Sequence, residues 1–314
     1  MSKLVVWCNQ QLETAAIEKL RKGVSSYELV LNDPAQLPRA HFVFGQPPVD
    51  GLLNNTNLRF VQLSSAGYTN YDRHDLRENF ALRSVALTKS SWVYDEPCAD
   101  HALAIMLCAA RALPLALREQ DGVRAWSTTV IRERSFLLRD QFVLIVGYGS
   151  IGQRLAERLA PFGACVHAAR RSPSGRETVP MTSTESSTFS QWLGQADHVV
   201  NVLPLNEGTQ AFFNAGRFAS MRKGALFYNI GRGGTVDQSA LESVLKRGQL
   251  AGAYLDVTMP EPLPPEHSLW QAPNCFITPH TAGGHKNEQE RLVELFLMNL
   301  ERFNAGQPLV DRVY

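Results

Sequence analysis

The chain has 314 residues, 44% hydrophobic and 19% charged, with a formal net charge of +1 at pH 7. This length suits two domains of ordinary size, and the composition excludes a disordered or fibrous chain. With no long basic run, nucleic acid and acidic membrane are excluded as main partners.

The five cysteines are odd in number and lack a C-x-x-C pair, so neither a disulfide framework nor a zinc site is expected, and no metal is called for. The opening MSKLVVWCNQQLE has too short an apolar run for a signal peptide. The stretch HALAIMLCAARALPLAL is interrupted by Arg111 and Pro114 before reaching the ~20 residues of a membrane span. A soluble, cytoplasmic protein with reduced thiols is the expectation.

In chain order, LVVW (4–7), FVFG (42–45) and LRFVQL (58–63) read as strands, with a helix across QLETAAIEKLRKG between the first two. Strands alternating with helices imply a parallel sheet with crossover connections. Asp95–Glu96–Pro97 is predicted to break the pattern before a long helix starting near Cys98, apolar on most faces and therefore buried between layers or subunits. A second alternating region follows, with strands FVLIVG (142–147), ACVHAA (164–169), HVVNVL (198–203), ALFYNI (225–230), LAGAYLDV (250–257) and CFITP (275–279). Such near-continuous apolar runs suit a parallel sheet covered on both faces. TSTESSTFS (182–190) reads as a surface loop leading into a helix. The last helix, NEQERLVELFLMNLERF, spaces Leu292, Phe296, Leu300 and Phe303 along one face.

The strand FVLIV delivers the chain into Gly147-Tyr148-Gly149-Ser150-Ile151-Gly152, and an amphipathic helix follows. Gly147 suits the tight turn, Gly149 the close approach of backbone to a pyrophosphate, and Gly152 the packing of helix on strand. The helix start, with Ser150 and Ile151, then presents N–H groups to the anion. Dinucleotide-binding units place an acidic residue about 20 positions further on, to hold the ribose hydroxyls of NAD. Here Arg170, Arg171 and Ser172 stand at that strand tip. Arginine offers a planar fork and permanent charge to the 2′-phosphate of NADP, so NADP(H) is the expected cofactor, with NAD(H) allowed. The bland alternative is a solvated strand end.

Three further segments place polar residues just beyond strand ends: Arg232 in FYNIGRGGTVD, Glu261 in AYLDVTMPEPLP and His280 in CFITPHTAGG. In open α/β sheets that edge is where ligands bind. An arginine there can hold a carboxylate and polarise a carbonyl. A histidine can give a proton to the carbonyl oxygen as hydride reaches carbon, and a carboxylate on the far ring nitrogen keeps the imidazole charged.

The series VGYGSIGQ, NVLPLNEGT, NIGRGGTVD, AYLDVTMPEPLP and NCFITPHTAGG resembles the D-isomer-specific 2-hydroxyacid dehydrogenases across nearly the whole chain, and most of all their glyoxylate and hydroxypyruvate reductases. The resemblance implies two α/β domains. One is a Rossmann-type doubly wound parallel sheet over 97–284. The other is a smaller flavodoxin-like substrate domain over 1–96 and 285–314, with hinges near Glu96–Pro97 and Gly283–Gly284. It implies Arg232, Glu261 and His280 as the catalytic trio, with Arg232 and His280 also touching substrate. Backbone N–H groups at Ala66 and Gly67 in SSAGYTN would take the substrate carboxylate. Asp256 would lie near the nicotinamide carboxamide, and Leu203, Pro204, Thr209, Ile230 and Gly231 would line the cofactor. It also implies a homodimer built on the long helix.

Two departures stand out: Arg170 where NAD-dependent members carry Asp, and Ala99-Asp100-His101 for the usual Ala-Glu-His. Trp92, Tyr94 and Tyr68 are candidate pocket walls, and Trp126 a candidate to reach a neighbouring subunit. Rival readings are an NAD-dependent dehydrogenase for a bulkier acid, and a nucleotide-sensing protein like the corepressors built on this fold.

Overall fold

The computed structural model describes residues 3–314. The chain divides into two compact units, one through Tyr94 plus Gly284–Tyr314 and the other Asp95–Gly283.

The first unit holds five strands: β1 (Val5–Cys8), β2 (Glu28–Leu31), β3 (Phe42–Gly45), β4 (Phe60–Leu63) and β5 (Ala86–Thr88), all parallel in the order β2-β1-β3-β4-β5. That is the flavodoxin-like order. Strands β1, β3 and β4 are buried along their whole length, which explains their apolar sequences, broken only by buried Gln62 in β4. Helices Thr14–Gly23 and Glu288–Asn304 pack together over this sheet, burying Leu20 with Leu292, Phe296 and Leu300. Phe296 stacks on Phe44 with ring centroids 5.0 Å apart. The sequence reading passed over β2 and β5. β2 is a half-buried edge strand that opens with Glu28, and β5 has only three residues.

The second unit holds seven parallel strands: β6 (Phe142–Val146), β7 (Cys165–Arg170), β8 (Met181–Ser183), β9 (His198–Asn201), β10 (Leu226–Asn229), β11 (Gly252–Leu255) and β12 (Cys275–Ile277). Their order, β12-β11-β10-β9-β6-β7-β8, is the doubly wound arrangement, with the reversal between β6 and β9. Ligands bind such sheets beyond the carboxyl ends of the strands at that switch point. The strands end earlier than the apolar runs suggest, so Leu203 and Asp256 lie in loops on that edge.

Two expectations are corrected. The long helix covers Ser91–Ala110 and runs through Pro97 rather than starting after it. A proline within a helix forfeits its own N–H bond and crowds one carbonyl, and here the helix tolerates that defect. The expected surface loop at 182–190 begins inside β8, whose Thr182 is buried and whose Met181 pairs with Ala168 of β7. Among the described residues no single helix is long and apolar enough to cross a membrane.

Candidate active site

The glycine loop follows β6 at the switch point. Gly147 has φ +100°, and a Cβ there would lie 2.8 Å from the Val202 carbonyl, so only glycine fits. A Cβ at Gly152 would lie 2.5 Å from the Gly147 oxygen, which fixes helix Ser150–Leu159 close against the loop. Gly149 is different. A Cβ there would meet nothing within 4 Å. Its lack of a side chain answers no contact inside the protein, and it leaves the backbone open on the side where a ligand would come. Among the described residues no side chain caps the helix that Gly149 precedes, so the first-turn N–H groups at Ser150, Ile151 and Gly152 have no capping acceptor there. An open glycine beside an uncapped helix start is a fit for a pyrophosphate.

Arg170 ends β7, with its side chain 42% exposed and Nη1 3.8 Å from Glu177 Oε1. Glu177 was not singled out from sequence. Its Oε1 accepts from Ser174 N at 2.6 Å and Ser174 Oγ at 2.8 Å, and these bonds hold its carboxyl down at about 2. Nearby, Tyr148 OH lies 3.1 Å from Thr178 Oγ1, tying the glycine loop to the same turn. Arg171 and Ser172 are exposed beyond the strand.

Arg232, Glu261 and His280 follow β10, β11 and β12, three adjacent strands. His280 Nδ1 lies 2.8 Å from Glu261 Oε2, while Glu261 Oε1 accepts from Thr258 N at 3.0 Å. The carboxylate thus bridges its own loop and the Nδ1 side of the imidazole. A Cβ on Gly233 would lie 1.8 Å from Thr258 O, so the Arg232 loop packs directly on the residue that anchors Glu261. Arg232 itself donates Nη1 to Gly231 O at 2.6 Å.

Two supports were not read from sequence. Buried Asn201 and Asn229 sit opposite each other on β9 and β10, with Asn201 Nδ2 donating to Asn229 Oδ1 at 3.0 Å and to Thr235 Oγ1 at 2.7 Å. Asn229 Oδ1 accepts from Gly231 N, Asn229 Nδ2 and Thr235 Oγ1 donate to Arg232 O, and Asn201 Oδ1 accepts from Leu203 N. The pair therefore fixes both loops at once; matching asparagines at the ends of two apolar strands were the available signal.

The second support is Asp256, buried at 3% exposure. Its Oδ1 accepts from Thr278 Oγ1 at 2.7 Å and Thr281 N at 2.9 Å, its Oδ2 from Ala282 N at 3.0 Å, and its carbonyl from His280 N at 2.8 Å. This clamp holds His280 at φ +53°. The residue expected beside the nicotinamide therefore spends its visible bonds on the loop of the histidine.

Ile230 N donates to Asn201 O at 3.1 Å, placing Ile230 and Gly231 just past β10. Thr209 Oγ1 reaches Pro204 O at 2.6 Å and accepts from Asn206 N at 2.9 Å, so its hydroxyl shapes its own turn. Among the described residues no group of three or more His, Cys, Asp or Glu is placed to hold a metal. In the first unit, the Ser64–Gly67 loop follows β4. Ser65 Oγ donates to Gly67 O at 2.6 Å, and Ser65 O accepts from Ser90 N at 2.9 Å. The amides of Ala66 and Gly67 donate to no group among the described residues.

The D-isomer specific 2-hydroxyacid dehydrogenase NAD binding domain matches residues 103–282. The human glyoxylate reductase/hydroxypyruvate reductase is 30% identical over 259 residues, covering 81% of this chain and 76% of that one. A D-isomer specific 2-hydroxyacid dehydrogenase from Xanthobacter autotrophicus, solved with NADPH and MES, superposes with TM-score 0.83 at 26% identity, covering 100% of this chain and 98% of that one. The NADPH-dependent glyoxylate/hydroxypyruvate reductase from Sinorhizobium meliloti, solved with NADP and malonate, superposes with TM-score 0.76 at 26% identity, covering 99% and 97%.

Proposed function

Because this chain belongs to the D-isomer specific 2-hydroxyacid dehydrogenase family, we propose that it reduces a small 2-oxo acid, glyoxylate or hydroxypyruvate, with NADPH. The observation that carries the reading is the His280–Glu261 pair at 2.8 Å, in the same unit as an open, uncapped glycine loop. A bound reduced nicotinamide supplies the hydride. The chain supplies the rest: Arg232 holds the carboxylate and polarises the carbonyl, and His280 Nε2 delivers a proton to the carbonyl oxygen. Glu261 on Nδ1 orients the ring. The amides of Ala66 and Gly67 take the substrate carboxylate.

On the cofactor side, Gly147, Gly149, Ser150, Ile151 and Gly152 receive the pyrophosphate. Leu203, Pro204, Thr209, Ile230 and Gly231 form the wall, and Asp256 sets the loop beside it. Arg170, Arg171 and Ser172 read the 2′-phosphate, which is why two cations occupy a position where NAD enzymes keep an acid. The relatives named for NADPH support this choice.

The working form is a homodimer. The stretch 113–137 leaves Val123 82% and Trp126 95% exposed, with Leu117, Val130 and Leu137 also uncovered. Apolar residues gathered in this way suit a second copy of the chain. A cytoplasmic location belongs to the same proposal and is supported by five unpaired cysteines. Initial rates with glyoxylate and hydroxypyruvate, each with NADPH and with NADH, test the reading. Turnover with a clear NADPH preference is expected; turnover favouring NADH would reassign the arginines, and none with either acid would remove the substrate.

A further inference from the structure

We propose that Lys89 is a substrate-binding residue whose ammonium adds, besides Arg232, a positive charge for the substrate carboxylate at the Ala66–Gly67 loop. This inference rests on the reading of that loop as the carboxylate site. The loop SSAGYTN carries no charged side chain, so within its own unit the two amides offer a carboxylate only partial charges. Lys89 follows the last residue of β5, and the loop follows the last residue of β4. The two strands are parallel neighbours with Gln62 opposite Thr88, so lysine and loop leave the same sheet edge side by side.

The lysine backbone is fixed on both sides. Lys89 N donates to Asp311 O at 3.1 Å, and Lys89 O accepts from Gln62 Nε2 at 2.7 Å. Its neighbour Ser90 donates from N to Ser65 O, joining the two segments directly. The side chain then turns toward the loop and places Nζ 5.6 Å from the centre of the Tyr68 ring, immediately after Gly67. The loop it meets is held as well: Gln46 Nε2 donates to Ser64 Oγ at 3.1 Å and Ser65 Oγ at 3.0 Å, and Tyr94 OH donates to Ser64 O at 2.9 Å.

The electrostatic setting suits an anion. Burial pulls the ammonium below the usual lysine range, and the charge of Asp311 opposes this only in part. Asp311 Oδ2 already accepts from Trp92 N at 2.6 Å. A half-buried ammonium over an aromatic face is short of negative charge, and an incoming carboxylate supplies it.

The test is steady-state kinetics with glyoxylate on the full chain, comparing wild type, Lys89→Met and Lys89→Arg, with oxalate titrated into the same proteins by calorimetry. Lys89→Met is expected to raise KM for glyoxylate at least ~10-fold, the scale of one charge-assisted hydrogen bond, while kcat and KM for NADPH stay within about threefold. Lys89→Arg restores most of the loss because it keeps the charge. Unchanged KM in Lys89→Met, or equal losses in the Met and Arg variants, overturns the proposal. If the wild type turns over no 2-oxo acid, the functional reading fails separately, and equal oxalate affinity in wild type and Lys89→Met still overturns the role of Lys89.

Discussion

The loops after β12 and after β7 leave the same sheet, yet they are held in different ways. The first is pinned from every side: Asp256 takes the amides of His280, Thr281 and Ala282, and Glu261 takes the imidazole. The second carries its charges at the surface, with Arg170 in one 3.8 Å ion pair and Arg171 and Ser172 exposed. In the proposed reading the first loop carries the proton donor, and proton transfer tolerates so little misplacement that a loop held by backbone bonds suits it. A phosphate is a large, diffuse anion that long guanidinium side chains can meet without such support. Changes in the first loop should therefore alter turnover with either cofactor, and changes in the second should alter only which cofactor is used.

His280→Asn probes the first loop most severely. Loss of a general acid should lower kcat for glyoxylate about 10²–10⁴-fold with NADPH and NADH alike, while NADPH affinity measured by fluorescence titration stays within about threefold. A loss confined to cofactor affinity would contradict the assignment. Arg170→Asp probes the second. Removing one charge-assisted contact and adding repulsion should reduce kcat/KM for NADPH about 10–100-fold and leave NADH nearly unchanged.

Asp256→Asn should separate support from chemistry. The new amide nitrogen cannot accept from the amide it faces, leaving one buried donor unpaired. Stability in urea should fall by about 1–3 kcal/mol, with kcat falling for both cofactors. An unchanged midpoint would mean that the clamp is dispensable.

An acid dependence is also expected away from both loops. His198 is buried, with Nδ1 3.0 Å from Tyr228 OH and Nε2 without a partner among the described residues, and burial lowers its pKa from 6.5 to about 4. Between those values the unfolded chain binds a proton that the folded chain does not. Its contribution is therefore present above pH 6.5 and lost as pH falls toward 4, by at most about 1.4 kcal/mol per pH unit. His198→Asn should flatten that part of the stability curve; an identical slope would assign it to other groups.

What the sequence made legible follows from how local each requirement is. Gly147 and Gly152 are dictated by a turn and a helix contact within a few residues, so the fingerprint could be read directly. The central strands announced themselves because both their faces are buried. Edge strands β2 and β8 did not, being short and partly polar, and Pro97 suggested a boundary that the helix does not respect. Arg232, Glu261 and His280 were legible as residues at strand ends. Their supports were not, because the Asp256 clamp and the Asn201–Asn229 bridge exist only once distant strands pair. Glu177 and Lys89 escaped notice for the same reason: a single charge in sequence gives no sign of the loop it faces.

The most direct test of this division of labour is kcat/KM for glyoxylate in wild type, His280→Asn and Arg170→Asp, each with NADPH and NADH. The expected pattern is equal fractional loss with both cofactors for His280→Asn, and loss with NADPH alone for Arg170→Asp. Equal losses with NADPH and NADH in Arg170→Asp would contradict it, leaving the arginines as a solvated strand end.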